Sequence, residues 1–409
     1  MNSPAGSRVT KGATVPEQLG SGPAASSGVS VIVSTYNRAH YIAECIESIL
    51  VQSVPPSQVL VVDDGSTDGT AAVLADFGDN VQILSQDNQG KAAALNHALP
   101  LASGQYIWIF DDDDVALEDA IALRLGVLER RPEIDFVYSG YLAGVDGHDG
   151  RIVPGRAHIP ELAEGKALHL NLMKGCFITQ QGVLARASIY GRTGPFDVSY
   201  VRGQDYEMLL RMARVGTGLG LAEPTFVFRR HDGDRGSAKA QHASRDRDRV
   251  WRKYENLIGR QLREQVSLAE YLMRSPGDDP RDCQERRTAL LQRMAVMSGK
   301  GLVDEMMSDL ATAIQIDPRL PLTDDQKRLC RSAATREFFQ VGVREDPAAF
   351  VAGCRVLGRH EAARDALVAL ARGLFWVARN DAHRLGFTLT LGLSATLMAL
   401  AATQRVGFR

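Results

Sequence analysis

Between residues 29 and 138 the chain alternates short, unbroken apolar runs with longer segments in which apolar residues recur at helical spacing. The runs are Val29–Ser34 (VSVIVS), Val59–Val62, Val81–Leu84, Gln105–Phe110 (QYIWIF) and Ile134–Tyr138. They predict strands, and Val29–Ser34 and Val59–Val62 in particular predict strands buried on both faces, because a strand with one wet face would alternate apolar and polar residues. Between them, Tyr41, Ile42, Cys45, Ile46, Ile49 and Leu50 share one helical face ahead of Pro55 and Pro56. A second helix is predicted through Leu74 with Thr67 or Asp68 as N-cap, and a third over Gly90–Leu99, stopped by Pro100. A fourth covers Leu117–Arg130 and ends before Pro132. Five strands alternating with helices predict an α/β domain whose mostly parallel sheet is covered on both faces. Open sheets of this kind bind ligands at the carboxyl ends of their strands, where this chain places its polar motifs.

The pattern then loosens. Gly144–Gly165 carries Gly, Pro and His and predicts a loop; Leu168–Phe177 and Val183–Ala185 resume apolar structure. A helix runs through Tyr206, Leu209, Leu210 and Met212, and Phe226–Arg230 predicts a last strand. Beyond Ala238 the pattern is helical, over Val250–Met273, Glu285–Met297, Val303–Ile316, Asp325–Phe339 and His360–Ala378. The organisation expected is a disordered leader over 1–28, an α/β domain over 29–237 and a helical appendage over 238–384. An apolar C-terminal helix follows over 385–409. In that last part Leu385–Gln404 has no formal charge and is long enough to span a bilayer, yet it contains four Thr, one Ser and two Gly. Two readings stay open, a buried helix or a membrane-associated one.

Composition narrows the function classes. A net charge of −2 supplies no global field toward nucleic acid. The five cysteines, Cys45, Cys176, Cys283, Cys330 and Cys354, form no C-x-x-C pair, which argues against a zinc knuckle or a disulfide framework. Met1–Gly28 has no apolar signal-peptide core, so a cytoplasmic protein is expected, free or at the inner face of the membrane.

Two acidic clusters carry the chemistry. Asp111–Asp114 closes one buried run and Asp63–Asp64 closes another. Adjacent carboxylates repel unless a cation or solvent relieves them, and Mg²⁺ or Mn²⁺ is the natural hard partner. Each cluster alone also reads as turn chemistry, with Asp114 capping the next helix.

Four motifs follow one another: Val31–Arg38 (VIVSTYNR), Val61–Thr70 (VVDDGSTDGT), Asn88–Lys91 (NQGK) with Asn96, and Phe110–Asp114 (FDDDD). With Phe196–Asp197, Gly203–Arg211 (GQDYEMLLR) and Arg230–His231, the ordered set resembles a family 2 glycosyltransferase of the GT-A fold over about residues 29–237. The resemblance implies a Rossmann-like mixed, mostly parallel sheet, a nucleotide-sugar donor and inverting transfer to a glycan, lipid or protein-linked hydroxyl. It implies that Ser34, Thr35 and Tyr36 line the base, with Asp63 and Asp64 at its edge. Lys91 then sits near the donor phosphates, and Asp111 and Asp112 near the ribose or sugar. Asp113 is expected to hold the metal with His231 close to it, and Asp205 to serve as general base. One departure is Gln204 before Asp205, where the family often has Glu. Asn96 and Arg211 read as packing and ion-pair residues. The non-enzymatic alternative is a silent scaffold that works through its C-terminal helices.

Overall fold

The computed structural model describes residues 27–148, 150–230, 247–357, 360–380 and 384–403. The apolar runs become strands of one nine-stranded sheet, with the run Val81–Leu84 at its edge and largely exposed. In its first half the order along the chain is β1 (Val29–Thr35), α1 (Ile42–Leu50), β2 (Gln58–Asp63), α2 (Thr70–Ala75), β3 (Gln82–Ser85), α3 (Lys91–Ala98) and β4 (Tyr106–Asp111). These four strands are parallel, in the spatial order β3-β2-β1-β4. Residue parity sorts their side chains. Val31, Val33, Val59, Val61, Trp108 and Phe110 pack one face with α1, while Ile32, Leu60, Val62, Ile107 and Ile109 pack the other with α3. A fully buried side chain of this size contributes roughly 1.5–3 kcal/mol, which is why the centre of the sheet needs no polar alternation.

The second half completes the sheet from the far side. It comprises β5 (Val115–Ala116), α4 (Ala120–Arg130), β6 (Phe136–Asp146), β7 (Ile152–His158), α5 (Gly165–Lys174), β8 (Leu184–Arg186), α6 (Ala187–Thr193), α7 (Gln204–Val215) and β9 (Gly218–Arg230). Antiparallel β8 separates β4 from β6, and β9 runs parallel to β6. The expectation of a loop over Gly144–Gly165 is corrected here: β6 runs on to Asp146 and β7 pairs back onto it. β7 is almost wholly exposed and is held mainly by backbone pairing, so no apolar pattern marks it. Asp114 does not cap α4 either; Asp119 occupies that position, without a side-chain cap.

The helical part consists of α8 (Arg247–Gln265), α9 (Cys283–Gly299), α10 (Val303–Ile316), α11 (Asp324–Ala334), α12 (Glu337–Glu345), α13 (Pro347–Arg355), α14 (Glu361–Asn380) and α15 (Arg384–Thr403). The single helix expected over Asp325–Phe339 is two, because Arg336 turns to an extended backbone between α11 and α12. The expected helix through Met273 stops at Gln265, and α13 was not anticipated. These helices share one continuous core with the α3 face of the sheet, extending from Ile32 to Ala401. At the junction the buried Lys300 ammonium donates to Glu255 Oε2 at 2.6 Å and to the Tyr206 hydroxyl, which donates to the Leu172 carbonyl. α15 buries Leu393, Leu397 and Ala401, and its Ser394 hydroxyl donates to the Ala371 carbonyl of α14 at 2.8 Å. Among the described residues no helix is long and apolar enough to cross a membrane. The expected leader, apart from Ser27 and Gly28, and the end of the expected C-terminal helix lie outside the described residues.

His169 on α5 is buried and its Nε2 has no hydrogen-bond partner. Burial pushes its pKa down to about 4, opposed by Glu270 and assisted by Arg214. A depressed histidine contributes stability above its unfolded pKa of about 6.5 and loses it as the pH falls toward the folded value. Between pH 7 and pH 5 urea unfolding should therefore show a loss of about 2 kcal/mol from this residue. The same comparison on His169→Gln should lack that component.

Candidate active site

At the carboxyl ends of β1, β2 and β4 lies an open cleft of about 270 Å³, closed on the far side by the start of α7. Its walls include Ser34, Thr35, Tyr36, Asp64, Lys91 and the Asp111–Asp113 run, with Asp205 opposite. Two strand-end loops are laced together. Asn37, at a positive φ of 53°, accepts from the Thr67 amide at 2.7 Å while its own amide donates to the Ser66 hydroxyl at 3.0 Å. The Arg38 amide donates to the Thr70 hydroxyl at 2.9 Å.

Asp63 and Asp64 are buried, and each organises backbone. Asp63 Oδ1 accepts from the Ser66 amide at 2.9 Å. Asp64 Oδ1 accepts from Gln86 Nε2 at 2.7 Å and from the Gln89 amide at 2.9 Å; its Oδ2 accepts from the Gly90 amide at 2.8 Å. Gly90 has a φ of 93°, a conformation open to glycine, and it delivers Lys91 as the first residue of α3.

The four carboxylates after β4 are held by different neighbours. Asp111 pairs with Lys91, and Asp112 lies 3.8 Å from the Arg38 guanidinium. The Gln181 side-chain amide donates to Asp111 Oδ2 and Asp114 Oδ2, both at 2.7 Å. Asp114 Oδ1 accepts from the Arg229 amide at 2.8 Å, and Arg229 Nε donates to the Asp113 carbonyl at 2.7 Å. Burial and the Asp113 charge push Asp112 up to about 7, against the pull of Arg38. Burial and repulsion from Asp113 and Asp111 also raise Asp114 well above the usual carboxylate range. Burial lowers Lys91, but Asp111 and Asp205 outweigh it, so its pKa rises and the ammonium stays charged.

Carboxylate oxygens of Asp111, Asp113 and Asp114 lie within 4.8 Å of one another. An all-oxygen donor set of adjacent carboxylates fits a hard divalent cation such as Mg²⁺ or Mn²⁺. The other residue expected at the metal, His231, lies outside the described residues.

Asp205 stands in the first turn of α7, whose N-cap Gly203 adopts a left-handed φ of 73°. That turn aims the helix start at the cleft. The next residue, Tyr206, is the one clasped by Lys300. One turn on, the Arg211 guanidinium grips Glu207 through two 2.7 Å hydrogen bonds, the ion-pair role expected for it. Asn96 exchanges two 2.8 Å hydrogen bonds with the Phe196 backbone, tying α3 to the loop before α7.

Three site residues were not read from the sequence. Gln181 and Trp251 sit in segments with no motif, and Trp251 reaches the cleft from α8. Arg229 lies in the expected last strand, with no motif that marks it as a site residue; in β9 it is 1% exposed, lies over the Tyr41 ring at 4.5 Å and is clamped by Glu44 and Asp146.

A parallel half-sheet with an acidic run at the end of β4, faced by a helix start from the second half, defines a GT-A-type fold. S. aureus TarS 1-349, solved in complex with UDP-GlcNAc, shares it. The TM-score is 0.51 at 17% sequence identity, covering 83% of this chain and 90% of that one. Residues 30–187 match the model of glycosyl transferase family 2. An uncharacterised glycosyltransferase of Rickettsia felis is 27% identical over 227 residues, which are 54% of this chain and 37% of the relative. The chondroitin synthase of Escherichia coli is 30% identical over 191 residues, 46% of this chain and 27% of that protein. The chain thus spans about a third of the length of these two relatives.

Arg229→Met should lower stability by about 3 kcal/mol in urea unfolding, because it leaves Glu44, Asp146 and the Asp113 carbonyl without their shared donor.

Proposed function

We propose that the chain transfers a sugar from a nucleotide-sugar donor to an acceptor hydroxyl with inversion, and that Asp205 is the general base. The observation that carries this reading is the shared cleft: Asp205 faces the Asp111–Asp113 run, and Lys91 is electrostatically coupled to Asp111 and Asp205. The donor base lies against Ser34, Thr35 and Tyr36. Asp63 and Asp64 hold the loops around it, and a carboxylate has about four acceptor positions, so Asp64 keeps one for the base edge after its three internal bonds. Asp111 and Asp112 meet the ribose or sugar.

Asp113, with Asp111 and Asp114, would hold Mn²⁺ or Mg²⁺, and His231 is a further ligand candidate. Such an ion supplies Lewis-acid stabilisation of charge on the departing diphosphate. The Lys91 ammonium adds fixed positive charge on the donor side. Asp205 accepts the acceptor's proton as the oxygen attacks the anomeric carbon, a contribution of roughly 10² to 10⁴ in rate. One base on the acceptor side and a leaving group on the other give a single in-line displacement. The acceptor is a glycan, lipid or protein-linked hydroxyl.

A panel of nucleotide-sugars with Mn²⁺ identifies the donor, and the variant that tests the mechanism is Asp205→Asn. It should bind donor as the parent does and lose at least about a hundredfold in transfer rate. A product that keeps the donor's anomeric configuration by NMR would refute the single displacement. For the metal, transfer should stop in excess EDTA and return with Mn²⁺. Asp113→Asn should stay inactive at every Mn²⁺ concentration while melting as a folded protein; full turnover in EDTA would remove the metal from the scheme.

A further inference from the structure

We propose that the groove between α11, α14 and α15 docks this protein on an anionic phospholipid surface. The groove has a volume of about 620 Å³ and lies on the helical part, with no residue in common with the catalytic cleft. Its rim is cationic. Lys327, Arg328 and Arg331 come from α11, and Arg364 and Arg372 from α14, against two lining carboxylates, Asp324 and Asp365. Lys327 pairs with Asp365 at 3.1 Å and Arg328 with Asp325. Arg331, Arg364 and Arg372 form no ion pair with a described residue, so three cations face the groove uncompensated.

The lining also includes Val368, Met398 and Ala401, an apolar component that a soluble phosphate would not need. Along α14 the groove residue Arg372 is followed at helical spacing by Phe375, Trp376 and Arg379, which places all four on one face. Phe375 is 53% exposed and Trp376 59% exposed, the latter amphipathic in the way that suits a headgroup boundary. Cations around an apolar slot, continued by exposed aromatics, match a phosphate headgroup with acyl chains beneath it. The charge is local. The whole chain carries −2, so attraction comes from this face and not from the net field.

The test uses the full chain and co-sedimentation with vesicles of equal parts phosphatidylcholine and phosphatidylglycerol, against phosphatidylcholine alone. Each surface cation raises partitioning about fivefold, so replacing Arg331, Arg364 and Arg372 by Gln together should weaken binding about a hundredfold. Trp376→Ser should weaken it separately, and the matching triple Arg→Lys variant should still bind, which separates lost charge from lost folding. Binding to the mixed vesicles should also fall as salt is raised. Equal binding to neutral vesicles, or an unaffected Gln triple, would overturn the proposal. So would competition by glycerophosphate or polyglutamate at the headgroup concentration of the vesicles, since the site would then belong to a soluble anion or an acidic protein.

Discussion

The organisation of this protein turns on keeping four consecutive carboxylates at the end of one buried strand. Asp111 to Asp114 cannot sit there together unless their mutual repulsion is answered, and the answer comes from four separate places. Lys91 arrives from the start of α3 and Arg38 from the loop after β1. The Gln181 amide bridges Asp111 and Asp114, while Arg229 of β9 holds the backbone at Asp113 and the carboxylate of Asp114. Each partner is fixed in turn. Gly90 is seated by Asp64, the Gln181 carbonyl accepts from the Trp108 indole at 2.7 Å, and Arg229 is braced by Glu44, Asp146 and Tyr41. The second half of the sheet thus serves the acidic end of the first.

The same logic joins the helical part to the cleft. Asp205 begins α7, and α7 is held from behind by contacts with distant helices. Lys300, paired with Glu255, clasps Tyr206, and Arg214 reaches Glu270 at 2.7 Å. A buried ammonium costs several kcal/mol unless it is paired, and here the Glu255 carboxylate and the Tyr206 hydroxyl both meet it. α8 also sends Trp251 into the cleft wall. The helices therefore share a core with the α/β part and help position the start of α7, while α11 and α14 turn a different, cationic face outward.

The sequence alone identified the strands of the parallel half; β1, β2 and β4, buried on both faces, write themselves as continuous apolar runs, and the exposed edge strand β3 follows from its place in the alternation. It also placed the polar motifs at their carboxyl ends and named Asp205, Lys91 and the acidic run as residues of interest; the structure brings these into one cleft. Strand-end position depends only on local spacing, so it survives without tertiary information. Tertiary structure decided the rest. β7 has no buried face and leaves no pattern, and the break between α11 and α12 carries neither Gly nor Pro. That break is made where Gly373 of α14 packs against the Arg331 carbonyl, so closely that an added Cβ would stand 2.5 Å from it. Gln181 and Arg229 act through partners between 67 and 185 residues away in the chain, a distance over which spacing carries no signal. Only folding brings their amide and guanidinium to the carboxylates, and with them the charge balance on which the site rests.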